Sequence, residues 1–254
     1  MLIAKTPVLL KLIRMLVLCF ACVTNAHEIT AEKITYYTEV YPPSNYLENN
    51  QLVGLSVETL KLMWQKMQIA EQKIHLVPWA RGYRNTINNP NSMLFTMART
   101  PEREALFKWV GPLYHAEHVL LARDDFKESI NNIQQAFKYT VAAIKNDISE
   151  VTLLEQNFPE KNIARITQLS QAILMLENGR LDLMIISRSS IQSLIDEHDL
   201  SFENFKIIYS VNKVGNYYAF HKSTPDSIIS RVRLRVFKKQ AEGSCLHNQY
   251  LKRL

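Results

Sequence analysis

Twice along this chain, short β-branched or apolar runs alternate with stretches of helical spacing, and that alternation constrains the fold more than any other feature. In the first series, Ile34-Thr35-Tyr36-Tyr37-Thr38 reads as a strand. Tyr41-Pro42-Pro43-Ser44-Asn45-Tyr46 follows as a loop and Asn49-Asn50 as a turn. Gly54 precedes Ser56, an N-cap for a helix over 57–69, in which Val57, Leu60, Trp64 and Met67 form the buried stripe. Residues 73–77 read as a second strand, 80–87 as a short helix, and the run beginning at Ser92 as a third strand. The order β-loop-α-β-α-β marks an α/β domain with parallel neighbours.

The second series opens after the strand-like Val119-Leu120-Leu121-Ala122. Strands at 139–144, 163–166 and 181–186 are interleaved with helices at 149–158, 168–178 and 189–197. Gly179 closes the middle helix at C′. A strand near Ile207-Ile208-Tyr209, a segment over 216–221 and a helix over 225–240 complete the chain. Two α/β series with a helical tail left over predict two lobes and a return crossing. The crossings are expected near 122–126 and 210–215, giving one lobe from 27–122 and 213–254 and a second from 123–212. Small ligands favour the cleft between such lobes.

The first residues carry Lys5, Lys11 and Arg14, no acid before Glu28, and an apolar run over 15–23. Thr24-Asn25-Ala26 then supplies small residues before a cut, so 1–26 reads as a secretory signal peptide and the mature protein as exported. Cys19 and Cys22 fall inside that leader, which leaves Cys245 alone and no intramolecular disulfide. The formal charge of +6 falls to +3 when Lys5, Lys11 and Arg14 leave with the leader. A mild, dispersed positive charge on an exported chain argues against a nucleic-acid partner.

The third strand runs into Ala98-Arg99-Thr100-Pro101-Glu102-Arg103-Glu104. Thr100 reads as an N-cap, Pro101 as N1 and Glu102 as N2. Arg103 at N3 opposes the helix dipole, at a cost of roughly 0.3–1 kcal/mol. Backbone N–H groups, a hydroxyl and a guanidinium thus converge at the end of a buried strand, as an anion site requires. Pairing of Arg103 with nearby acids on a solvated face explains the same residues equally well.

These segments together resemble the family 3 extracellular solute-binding proteins of bacterial ABC importers. The marks are Tyr41-Pro42-Pro43, Gly54, Arg99-Thr100-Pro101-Glu102-Arg103, Gly111-Pro112-Leu113-Tyr114, Gly179-Arg180-Leu181-Asp182 and Gly243-Ser244. Pro78-Trp79-Ala80-Arg81-Gly82-Tyr83 is similar to a subgroup of short exported members. The resemblance implies the type II periplasmic binding protein fold, two α/β lobes joined by two crossings. It also implies that Arg103, with Thr100 and Ala98 beside it, clamps a ligand carboxylate. Tyr41 and Trp79 take the places of the flanking aromatic pair, and Lys145 begins the strand-to-helix turn that contributes from the second lobe. Where the family carries the acid for a ligand ammonium, this chain has Ser187. The ammonium half of the site is therefore altered, unless Glu39 or Asp147 substitutes.

No His, Cys, Asp or Glu cluster has metal-ligand spacing, and no cofactor is implied. His115 and His118 fall on opposite faces of a strand. Trp64 and Trp109 read as core, and Asp182 as the group that fixes a turn. No Gly-x-Ser-x-Gly elbow supports an acyl-transfer nucleophile. The expected protein is a monomeric periplasmic binder of a small, carboxylate-bearing, amino-acid-like solute, delivered to an ABC permease. A sensing module for a membrane receptor uses the same closure. A periplasmic lyase on this fold, of the cyclohexadienyl dehydratase kind, needs a second-lobe acid near the ligand that Ser187 does not provide.

Overall fold

In the computed structural model, residues 33–241 are described; the expected signal peptide over 1–26, Gly243-Ser244 and Cys245 lie outside them. Eight strands form one mixed sheet in the order β4-β1-β5-β10-β6-β9-β7-β8. In chain order they include β1 (Thr35–Thr38), the hairpin β2 (Tyr46–Glu48) and β3 (Gln51–Val53), which stands apart from the sheet, β4 (Ile74–Leu76) and β5 (Ser92–Ala98). Then come β6 (Phe107–Arg123), β7 (Val141–Ile144), β8 (Ile163–Ile166), β9 (Leu183–Ser187) and β10 (Phe205–His221). The helices are α1 (Leu55–Lys66), α2 (Trp79–Asn88), α3 (Ile148–Glu155), α4 (Leu169–Glu177), α5 (Ile191–Glu197) and α6 (Asp226–Ala241). None of the described helices is long and apolar enough to cross a membrane.

The two lobes share β6 and β10, which pair antiparallel from Phe205↔Arg123 to His221↔Phe107. The C-terminal part of β10, Asn216 to Phe220, pairs with β5 of the first half-sheet. The C-terminal part of β6, His118 to Ala122, pairs with β9 of the second. Parallel pairing fills each half: β1 with β4 and β5, and β7 with β8 and β9. The long strands therefore carry the chain across both lobes, where the sequence pattern suggests only separate short runs.

The helical stripes land where their spacing puts them. On α1, Val57, Leu60 and Trp64 are buried, and Trp64 meets Tyr36 of β1 edge-on at 4.9 Å between ring centroids. The start of α1 differs by one turn position: Gly54 is the N-cap, and Ser56 lies buried inside the helix with its hydroxyl unpartnered. Gly54 has φ +117, and a Cβ there would stand 2.4 Å from the Ser44 carbonyl oxygen. Only glycine accepts both conditions. Gly54→Ala should therefore destabilise the protein by more than about 1 kcal/mol, seen as a lower urea midpoint at unchanged slope.

The segment Pro101–Leu106 is a 3₁₀ helix rather than the start of an α-helix. Phe107 and Trp109, both buried, begin β6 immediately afterwards, so the chain has room for a tight connector only. Thr100 is extended and makes no side-chain cap; Arg103 turns inward and is 3% exposed. Asp182 fixes a turn as expected, accepting from the Thr140 backbone N–H at 2.8 Å and its hydroxyl at 2.7 Å.

Candidate functional site

The C-terminal ends of β1, β5 and β7 converge on the line where β6 and β10 change partners. Five segments meet there and enclose an inner cavity of about 10 Å³, the space of roughly one water molecule. Glu39, Tyr41, Thr96, His118, Asp147 and Asn216 line it, together with Ala116 and Ile148.

Glu39 follows β1 directly and is buried. Its carboxyl makes no hydrogen bond or ion pair within the described residues. Burial first, and then the charge of Asp147, hold its pKa well above the ordinary carboxylate value of 4.5. Asp147 faces it from the N-terminus of α3, buried, with one oxygen accepting from the Ser149 hydroxyl at 3.3 Å. Two carboxyl groups from opposite lobes thus share one enclosed space.

The loop that carries Glu39 is fixed by β5. Between Tyr217↔Met97 and Tyr218↔Phe95 the register shifts, leaving Thr96 unpaired with φ +66. For a β-branched residue that conformation costs on the order of 1–3 kcal/mol, and it re-aims the side chain. The Thr96 hydroxyl donates to Asn45 Oδ1 at 2.5 Å, and Asn45 Nδ2 donates to the Glu39 carbonyl at 2.6 Å. The strain of the bulge is spent on placing Glu39.

His118 lies on the buried face of β6 and His115 on the exposed one, as alternation requires. The Asn212 amide donates to Thr152 Oγ1 at 2.7 Å, so its oxygen accepts from His118 Nδ1–H at 3.0 Å. Burial lowers the His118 pKa, against the opposing pull of Asp147, and keeps the ring neutral. Tyr41 is held un-ionised by burial, reinforced by Asp147, Tyr114 and Glu39, and its hydroxyl reaches the Ser187 backbone.

Arg103 sits beside this cavity rather than in its lining. Its Nη1 donates to the Ala98 carbonyl at 3.2 Å and its Nη2 to the Asn146 carbonyl at 2.9 Å. Trp79 and Tyr83 lie at 5.5 and 5.3 Å from the guanidinium carbon. The Trp79 indole N–H also donates to Asn146 O, at 2.8 Å. No ion pair reaches Arg103 among the described residues, and its remaining N–H donors are unused. The Glu102 carboxyl is held below its ordinary value first by its own backbone N–H and then by the buried Thr100 hydroxyl, which approaches it without a hydrogen bond of regular geometry.

Of the expected residues, Tyr41 therefore lines the inner cavity, while Arg103, Thr100, Ala98 and Trp79 form a second cluster beside it. Ser187 is buried, with its hydroxyl 3.0 Å from that of Ser189. Lys145 is exposed; the neighbouring Asn146 and Asp147 face the cleft instead. Asn146 has φ +61, a conformation asparagine tolerates, which points its carbonyl at Arg103 and Trp79. Thr96, Asn45 and Asn216 carried no local signal. Their roles come from the bulge and from strand pairing. A further contact between the lobes is the Ser190 hydroxyl on the Pro42 carbonyl. Among the described residues, no group of three or more His, Cys, Asp or Glu side chains is placed to hold a metal ion.

Residues 34–160 match the model of the bacterial extracellular solute-binding proteins, family 3. A comparison with curated proteins gives no match. Among solved structures, the chain is similar to a histidine kinase sensor domain with similarity to periplasmic binding proteins. That likeness has a TM-score of 0.78 and 16% identity, over 87% of this chain and 98% of the other. A mutant of ArgBP from T. maritima gives 0.77 and 15%, over 89% and 98%. The arginine-, lysine-, histidine-binding protein ArtJ from Geobacillus stearothermophilus gives 0.74 and 14%, over 86% and 95%. At these identities the likeness establishes the two-lobe fold. With the sequence match spanning half of its length, this chain belongs to the bacterial extracellular solute-binding proteins, family 3.

Proposed function

We propose that this protein closes its two lobes on a small zwitterionic, amino-acid-like solute, which it carries to an ABC importer. The hinge lies where β6 and β10 change partners, near residues 116–118 and 212–215. The observation that carries this reading is that two buried acids and a buried guanidinium stand on facing segments, none of them in an ion pair among the described residues. Glu39 and Asp147 face each other with no cation between them, and Arg103, though Glu102 and Glu155 lie near enough to feel its charge, makes no ion pair among the described residues. Buried charges of that kind are expensive unless a ligand pairs them. A ligand ammonium satisfies the two acids. A ligand carboxylate takes the unused Arg103 donors, with Thr100 alongside. Ser187 then needs no charge, because Glu39 and Asp147 replace the missing acid.

Calorimetric titration with an amino acid, its deaminated acid and its decarboxylated amine tests this directly. The amino acid should bind tightest, and losing either charged group should cost more than tenfold. Glu39→Gln and Asp147→Asn should erase the preference for the amino acid over the deaminated acid. Equal binding of those two ligands to the wild type, or a preference that survives both substitutions, would falsify the assignment. Likeness to a sensor domain favours one other role, reporting the same ligand to a membrane receptor; co-purification with a permease or with a receptor separates the two.

A further inference from the structure

The turn that brings Asn146 and Asp147 to the cleft is held from behind by two residues of the second lobe that line neither cluster of the site. Glu150, in the first turn of α3 and buried, accepts from the Asn146 backbone N–H through Oε2 at 2.5 Å. Its other oxygen, Oε1, accepts from Arg165 Nε on β8, and Arg165 Nη2 donates to Glu160 Oε2 at 2.9 Å. An ordinary capping box returns the third helical residue to the N-cap N–H. Here the N-cap is Asp147, and the bond goes one residue further, to Asn146. With Asn146 at φ +61, its N–H is taken by its own lobe while its carbonyl faces the first. That carbonyl accepts from both Arg103 Nη2 and the Trp79 indole, so its two lone pairs are used and none is left for a ligand. What it does is orient those two side chains.

We infer that Glu150 and Arg165 are positioning residues of the cleft. Through Asn146 they fix the direction of the Arg103 guanidinium and the Trp79 ring, and so where the unused Arg103 donors point. For ligand binding this rests on the site proposed above; for the geometry of the turn it does not. The Glu150 side chain is 6% exposed and that of Arg165 34%. Arg165 thus acts from the surface, without touching the cleft. It compensates a buried carboxylate that would otherwise turn toward water and release Asn146.

Indole NMR of the isotope-labelled full chain, without ligand, tests this. The three tryptophans give three indole N–H signals, and Trp79→Phe assigns one. Glu150→Ala should shift the Trp79 signal and speed its exchange with solvent about tenfold, the effect of losing one hydrogen bond. The Trp109 indole, which donates to Glu104 O at 3.2 Å within the first lobe, serves as the reference. Glu150→Gln keeps an acceptor for the Asn146 N–H and should keep the Trp79 signal. Arg165→Met should reproduce the Glu150→Ala change more weakly. Adding Glu150→Gln to Arg165→Met should restore the wild-type signal, because a neutral amide needs no cation. Should Glu150→Ala fail to fold, Arg165→Met and the double variant decide. A role in capping α3 alone lowers the urea midpoint without reaching Trp79. An unmoved Trp79 signal in Arg165→Met, or a double variant no closer to the wild type than Arg165→Met itself, overturns the inference. With no ligand present, failure of the proposed solute reading leaves these outcomes unchanged.

Discussion

Glu39→Gln should make the unliganded protein more stable at neutral pH while costing more than tenfold in affinity for its solute. The folded state holds the Glu39 proton well above the ordinary carboxylate value of 4.5, because burial and then Asp147 oppose ionisation. An unfolded chain has released that proton already, so the wild type loses stability as pH rises from about 4.5 toward the folded-state pKa. Glutamine is neutral throughout and escapes that loss. The Glu39→Gln protein should therefore melt higher than the wild type at neutral pH. Below pH 4 the two proteins should melt together, since Glu39 is then protonated in both states. A ligand ammonium needs the ionised carboxylate, so binding should release a proton. Affinity should climb with pH by up to tenfold per unit across the same window. Titration in buffers of different ionisation enthalpy measures the proton directly. A stability difference that is the same at pH 4 and pH 8, with no proton released on binding, would count against a strained acid in the cleft.

The second large effect concerns Arg103. Arg103→Ala removes the hydrogen bonds to the Ala98 and Asn146 carbonyls and opens a void beside the Trp79 and Tyr83 rings. Charge-assisted hydrogen bonds contribute roughly 1.5–3 kcal/mol each, and relief from burying a charge offsets part of that loss. The net cost should be about 2–4 kcal/mol of stability. Asn146 belongs to the segment across from Arg103, so the substitution also removes a contact between the two halves of the site. Ligand affinity should fall more than tenfold, chiefly through faster dissociation. Arg103→Lys should lose nearly as much affinity, because a point charge cannot bridge Ala98, Asn146 and a carboxylate while packed against two rings. Stopped-flow dissociation beside urea unfolding separates the two losses. Wild-type affinity in Arg103→Lys would show that a charge suffices and that the planar fork is not used.

Much of the first lobe was legible from the chain alone. The α1 stripe of Val57, Leu60 and Trp64 follows from helical spacing, because a helix must bury one face whatever it packs against. Gly54, Asp182 and the placement of Arg103 at the end of β5 were local matters, set by backbone conformation and by the order of the elements. The long strands were not. β6 and β10 read in sequence as short runs, because each is buried by one set of neighbours along half of its length and by another set along the rest. The polar crossing residues, among them Asn212, Lys213 and Gly215, interrupt the pattern. The inner cavity was the least legible feature. Thr96 turns toward Asn45 because the register with β10 slips at that residue, and Glu39 meets Asp147 through the packing of one half of the sheet against the other. The sequence by itself determined which segments are strand or helix and which charged residues stand at their ends, since those depend on neighbours a few positions away. Only the tertiary structure decided that Glu39 and Asp147, more than a hundred positions apart, share one cavity, because strand pairing and the packing of the lobes are contacts that no local pattern encodes.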